Sequence, residues 1–175
     1  MRRAVARPCP HRPRGSNLTL FELIRGRLVV SSLAATAKRA AIEELIEFLE
    51  RSGAVRREAR EAVFEAVFGR EDFMSTGMED GIALPHGVTD AVDEEVAAIG
   101  ISRTGIPFDS YDEQPAHIVI LLLTPTLKAL TRVRTLAEIA RVASDSRVRA
   151  GLLKAPTAEA AVRLIEAASK NHDRR

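Results

Sequence analysis

One histidine stands where a side chain could exchange a chemical group. His86 lies in Gly81-Ile82-Ala83-Leu84-Pro85-His86-Gly87, a short apolar run closed by proline, histidine and glycine. Pro85 keeps Leu84 extended and fixes its own φ, so the run is delivered to a defined end. Gly87 puts no side chain beside the imidazole. The expectation is a ring on a strand-end rim with an open approach. Neutral imidazole is a nucleophile that accepts and releases groups near neutral pH. On these residues alone, a plain turn histidine is the alternative. Upstream, Arg70 offers a planar fork suited to phosphate. Ser75-Thr76-Gly77 follow it with small side chains and N–H groups that can wrap an anion. The bland alternative there is a loop with one exposed arginine.

The remaining reactive side chains carry less. Cys9 and His11 sit in an Arg/Pro-rich lead-in, and His172 is near the C-terminus; all three read as solvated tail. His117 opens an apolar run and reads as a hydrogen-bonded strand-end histidine. Asp90, Asp93, Glu94 and Glu95 could be paired carboxylates, but a hydrated acidic loop is the simpler reading. The glycine spacing matches neither a Walker loop nor a dinucleotide fingerprint. A single cysteine and no Cys/His array offer no zinc site. No metal or cofactor is expected.

These groups need elements to hold them. Thr36 can cap a helix over 37–51, where Ile42, Leu45, Ile46 and Leu49 repeat at helical spacing and Gly53 stops the run. A second helix is predicted over 56–68, ended by Gly69, with Ala59, Val63, Ala66 and Val67 inward. The period then changes. The runs 81–84, 95–102 and 116–123 are continuous and apolar, as suits strands covered on both faces. Turn-rich loops are predicted at 104–107 and 111–115. Helices return over 128–143, with Val133, Leu136, Ala137 and Ala140 as the inner stripe. A helix capped by Asp145 and another capped by Thr157 follow, the last with Ala161, Val162, Ile165 and Ala168 inward. This order predicts one α/β domain over 17–170, a mixed central sheet flanked by helices. Residues 1–16 read as a disordered tail, and 171–175 as a frayed end.

Composition limits the function classes. The 175 residues are 46% hydrophobic, enough for a real core. The formal charge of +2 hides an asymmetry: residues 1–16 hold five arginines and no acid, leaving 21 basic against 24 acidic residues elsewhere. Nucleic-acid binding needs a basic stripe on a folded surface, and that stripe is not legible. The longest aliphatic run, 118–123, is too short to span a bilayer. The stretch from Arg25 to Ala37 imitates a signal peptide, but its apolar part is short and broken by Ser31 and Ser32. A cytoplasmic protein is expected.

Taken together, Arg70-Glu71, Ser75-Thr76-Gly77 and Gly81-to-Gly87 resemble the signature of the type-2 enzyme IIA domain. This is the fructose, mannitol and nitrogen-regulatory branch of the phosphoenolpyruvate-dependent phosphotransferase system. The likeness continues through Ala97-to-Ser102, Gly105-to-Asp109, Gln114-to-Pro125 and the helix from Leu136 to Val142, so it covers Leu18 to Ser169. The resemblance implies a mixed β-sheet with flanking helices and a phosphocarrier. Its phosphoryl group would come from the histidine carrier HPr onto His86, with Arg70 at the family's arginine position; Ser75 and Thr76, from the anion-wrapping reading above, are expected to help stabilise the phosphate. It would then pass to a IIB domain, or be held as a state that a regulated kinase or transporter reads. Many members carry a second histidine early in the helix after Thr124-Pro125. Here the aligned position is Arg132, a fixed cation that can bind phosphate but cannot exchange a proton near neutral pH. That departure favours storage or signalling over fast onward transfer.

Overall fold

The computed structural model describes residues 18–128 and 132–172 of the chain. Expectations for the 1–16 tail, Cys9, His11, the His172 side chain and 173–175 lie outside the described residues. In chain order the elements are α1 (Leu20–Leu23), β1 (Val29–Val30), α2 (Lys38–Arg51), α3 (Arg60–Phe73), β2 (Ile82–Ala83) and β3 (His86–Val88). There follow β4 (Val96–Ile106), β5 (Ala116–Thr124), α4 (Arg132–Ala143), α5 (Ser146–Lys154) and α6 (Ala158–His172). Single 3₁₀ turns at Arg57–Ala59 and Thr126–Lys128 lead towards α3 and α4.

The sheet is mixed, as expected. β4 and β5 pair antiparallel at its centre, and β1 lies parallel to β4. On the other side of β5, β2 and β3 share one lane. Ile82 pairs with Ile118 and His86 with Leu122, so the same register runs through both short strands. The lane breaks at Leu84-Pro85, where proline has no N–H to donate. The Leu84 N–H turns to the Thr76 carbonyl instead, at 3.0 Å. β4 is buried on both faces from Val96 to Ser102 and β5 is nearly all buried, which explains their unbroken apolar sequences. Two groups of helices supply the cover. α2 and α3 pack together, with α2 on β4 and β5; α1, α4, α5 and α6 form the other group, reaching β1 and β4.

Several boundaries differ from expectation. α2 starts at Lys38 behind Ala37 with no side-chain cap; the Glu44 carboxylate takes the N–H groups of Ala34 and Ala35 instead of Thr36 acting at the start. α3 runs through Gly69 to Phe73, because Glu71 is buried and anchored one turn later. β4 extends through the predicted turn to Ile106, with a register shift after Ile101 and Gly105 at φ +81°. The Ser102 hydroxyl accepts the Gly105 N–H there at 3.1 Å. α1, opened by a Thr19/Glu22 capping box, and β1, two residues long, lie outside the elements expected from sequence. α6 continues to His172, into the stretch expected to fray. The Asp145 cap is present, its carboxylate accepting the Arg147 N–H at 2.8 Å.

The inner face of α4 is also different. Thr135, Ile139, Val142 and Ala143 are its buried residues, while Val133 is 67% exposed. The predicted stripe of Leu136, Ala137 and Ala140 instead faces a cleft.

Candidate functional site

That cleft, about 330 Å³, contains His86. One wall is Arg70 and the segment Ser75 to Met78, the other is Leu136, Ala137 and Ala140 of α4, and Leu84 lies beside the histidine. His86 is only 8% exposed, so the ring lies at the floor of a cleft and not on an open rim. Gly87 explains this depth. A Cβ there would meet Val67 Cγ2 at 3.0 Å and the Ala66–Val67 peptide at 3.1 Å. The glycine therefore lets β3 lie against α3, rather than clearing the approach to the ring.

The imidazole is held at both nitrogens. Nδ1 lies 2.9 Å from the Leu84 carbonyl. A carbonyl can only accept, so Nδ1 carries the proton and Nε2 keeps its lone pair. Arg70 Nε–H donates to that Nε2 at 3.2 Å, and Arg70 Nη1 donates to the Met74 carbonyl at 2.8 Å. Burial lowers the His86 pKa from its ordinary 6.5; the bond to Leu84 opposes this, and the charges of Arg70 and Arg132 add to the fall. The ring is therefore neutral at pH 7, with its nucleophilic electron pair on Nε2.

Ser75 and Thr76 flank the cleft but have partners of their own. The Thr76 hydroxyl donates to Glu71 Oε2 at 2.5 Å, and the Thr76 N–H lies 3.2 Å from both Glu71 oxygens. The Ser75 hydroxyl donates to the Phe108 carbonyl and accepts from Gly77 N–H at 3.2 Å. Gly77 is tightly fitted: a Cβ would lie 2.6 Å from the Phe108 carbonyl and 2.7 Å from Ser110 Oγ. Arg132 opens α4 one turn before Leu136, and its charge bears on His86. Its Nε is buried and finds no hydrogen-bond partner among the described residues. An orphaned guanidinium N–H is costly, and an incoming anion could satisfy it.

Sequence reasoning missed three parts of this site. Glu71 carries no chemical signal of its own within the motif, and it is the acceptor around which the 75–77 segment is wrapped. Lys38, distant in sequence and without any local signal, reaches Glu71 at 3.1 Å and Asp109 at 2.6 Å. Glu95 is not part of a hydrated loop: it is buried and accepts the Thr135 hydroxyl at 3.1 Å, tying β4 to α4 one turn beyond Arg132. His117 is as expected, half-buried with Nδ1 at 3.0 Å from the Ser102 carbonyl.

Comparison with known proteins gives a consistent picture. The family model described as "Phosphoenolpyruvate-dependent sugar phosphotransferase system, EIIA 2" matches residues 22–168. The "PTS system fructose-specific EIIABC component" of Bacillus subtilis is 28% identical over 148 residues; these are 85% of this chain but only 23% of that protein. The "Nitrogen regulatory protein" of Klebsiella oxytoca is 29% identical over 161 residues, 90% of this chain and 96% of that protein. Among solved structures, the nitrogen regulatory protein IIA-Ntr of Neisseria meningitidis superposes with a TM-score of 0.73 at 27% identity, covering 83% of this chain and 98% of that one. Among the described residues no helix is long and apolar enough to cross a membrane.

Proposed function

Because the chain belongs to the EIIA type 2 family of the phosphoenolpyruvate-dependent sugar phosphotransferase system, we propose that it is a phosphocarrier that takes its phosphoryl group on Nε2 of His86. The observation that carries this is a neutral imidazole, fixed with its lone pair towards a cleft, beside the Arg70 guanidinium. The donor would be an HPr-like phosphohistidine carrier, met in the cytoplasm.

In the forward step the Nε2 lone pair attacks phosphorus, and the donor's P–N bond breaks with its electron pair returning to the donor imidazole. The Nδ1 proton stays in place, and its bond to Leu84 helps spread the positive charge that forms on the ring. One electron pair cannot serve both Arg70 and phosphorus, so Arg70 Nε–H must leave Nε2. Its guanidinium then meets the equatorial phosphoryl oxygens; Arg132 is not among the residues lining the cleft, but its charge acts on His86 and its unpartnered Nε–H would be a second donor for them. Ser75 and Thr76 support the group by shaping the cleft wall. The reverse attack, by a cysteine or histidine of a IIB domain, would discharge it.

Incubation with phosphoenolpyruvate, enzyme I and HPr tests this reading. The expected product carries one acid-labile phosphoryl group by intact mass, absent from His86→Ala. Absence of label on the wild type, or equal labelling of His86→Ala, contradicts it.

A regulatory use of the same site is favoured by Arg132 in particular. A guanidinium stays charged at neutral pH, so it retains phosphate without relaying a proton. The domain would then bind a kinase or transporter according to its phosphorylation state. A pull-down comparing wild type, His86→Ala and His86→Asp tests this. Partner capture that differs between the forms supports it, and identical capture contradicts it.

A further inference from the structure

Glu71 is in an unfavourable place for a carboxylate. It lies in the last turn of α3, at the negative end of the helix dipole, and its side chain is only 3% exposed. What it gains is an unusually full set of donors. Thr76 N–H, the Thr76 hydroxyl and Lys38 Nζ all reach it within 3.2 Å. Lys38 lies in the first turn of α2 and also reaches Asp109 at 2.6 Å and Ser75 Oγ at 3.3 Å. Asp109 has φ +50°, a conformation that non-glycine residues seldom adopt. So one ammonium joins the start of α2, the end of α3 and the 108–110 segment.

The consequence runs to the reacting atoms. The chain leaves α3 extended at Met74, φ −163° and ψ 131°, and folds back onto Glu71 through Ser75 and Thr76. That fold-back places the Met74 carbonyl at 2.8 Å from Arg70 Nη1. Arg70 is thereby held at two points, Met74 O and His86 Nε2. We infer that Glu71, paired with Lys38, is a positioning residue for phosphoryl transfer, acting through the Met74 carbonyl to aim Arg70 at His86. It touches neither the imidazole nor Arg70's donor atoms; its charge also acts on the His86 ring directly, opposing those of Arg70 and Arg132, and the path through the Met74 carbonyl is the part that depends on Arg70 being present. The inference rests on the phosphocarrier reading given above.

A double-mutant cycle on the full chain separates this role from a general structural one. The probe is phospho-HPr generated from phosphoenolpyruvate and enzyme I, and the readout is the initial rate of His86 labelling. Glu71→Gln should slow labelling at least tenfold when Arg70 is present. In an Arg70→Ala background the same change should alter the rate by less than about twofold. Lys38→Met should behave like Glu71→Gln, and Lys38→Arg should restore most of the rate. Multiplicative losses in the two backgrounds, or a wild-type rate for Glu71→Gln, would overturn the inference while leaving the phosphocarrier reading intact. A wild-type chain that takes no label would instead refute the reading itself. The ¹⁵N shift of His86 Nε2 gives a measurement independent of activity. It should move towards that of a free acceptor nitrogen in Glu71→Gln, as in Arg70→Ala, and an unchanged shift in the folded Glu71→Gln or Lys38→Met chain counts against the inference.

Discussion

Arg70 Nε–H rests on His86 Nε2 at 3.2 Å, so the cation that would neutralise an incoming phosphoryl group already lies over the nitrogen that would receive it. The contact has two effects. It keeps a proton off Nε2, and it stores the phosphate ligand within one side-chain rotation of its destination. The other ring nitrogen is tied to Leu84, whose carbonyl is available where the β2–β3 lane breaks at proline.

Loss of that guanidinium should be severe. Removing one preorganised donor to a developing anion lowers rates by about 10²–10³-fold, so Arg70→Ala should slow labelling by phospho-HPr by that order. Arg70→Lys should recover only part of it, because an ammonium lacks the planar fork that reaches Met74 and the phosphoryl oxygens together. Rapid-quench labelling of the two variants measures this, and full activity of Arg70→Lys would contradict it.

The pH dependence follows from the depressed His86 pKa. The folded ring resists protonation, so the fraction of competent neutral His86 should stay high below pH 6.5, where a free imidazole is already mostly charged. For stability the sign is fixed. The unfolded chain binds the proton more readily, so His86 makes no difference above its unfolded pKa. It destabilises the fold progressively as pH falls from about 6.5 through the lower, folded value. Urea melts at pH 8 and pH 5 should show a smaller acid loss for His86→Gln than for wild type. Equal losses would contradict this.

Gly87→Ala tests how α3 and β3 bring the pair together. The new methyl would meet the backbone of Ala66–Val67 at 3.1 Å, which cannot swing aside as a side-chain tip can. A loss of about 1–3 kcal/mol is expected from the overpacking. Transfer should fall more than stability alone implies, since His86 moves away from Arg70. Chemical denaturation and labelling on the same sample check both, and an unperturbed variant would show that the close approach is not needed.

Arg132 should act on the phosphorylated state more than on the free one. Its Nε has no partner among the described residues, and a charge-assisted hydrogen bond contributes about 1.5–3 kcal/mol. Arg132→Ala should therefore lower the equilibrium phosphorylated fraction at a fixed phosphoenolpyruvate-to-pyruvate ratio by at least tenfold in the constant. An unchanged constant would remove Arg132 from the phosphate site.

The parts of this molecule written in local pattern were legible before any coordinates. Continuous apolar runs announced β4 and β5, and the Pro85-His86-Gly87 and Arg70 spacing marked two side chains that the fold brings into hydrogen-bond contact. What was hidden depends on contacts distant in sequence. The depth of His86 is set by α3 packing on Gly87, and the sequence could not show which face of α4 turns inward. Leu136, Ala137 and Ala140 form an apolar stripe that lines the cleft, while the buried side includes Thr135, whose hydroxyl is satisfied by Glu95. Polar residues buried in pairs look like surface until the partner is known, and the same holds for Glu71 with Lys38. α1 and β1 are too short for a periodic signal.

The most direct measurement is ³¹P–¹⁵N NMR on chain labelled with ¹⁵N-histidine and charged through enzyme I and HPr. One phosphorus is expected, coupled to Nε2 of His86, with Nδ1 still protonated and bonded to Leu84. Phosphorus on Nδ1, on another residue, or nowhere in the wild-type chain would contradict it.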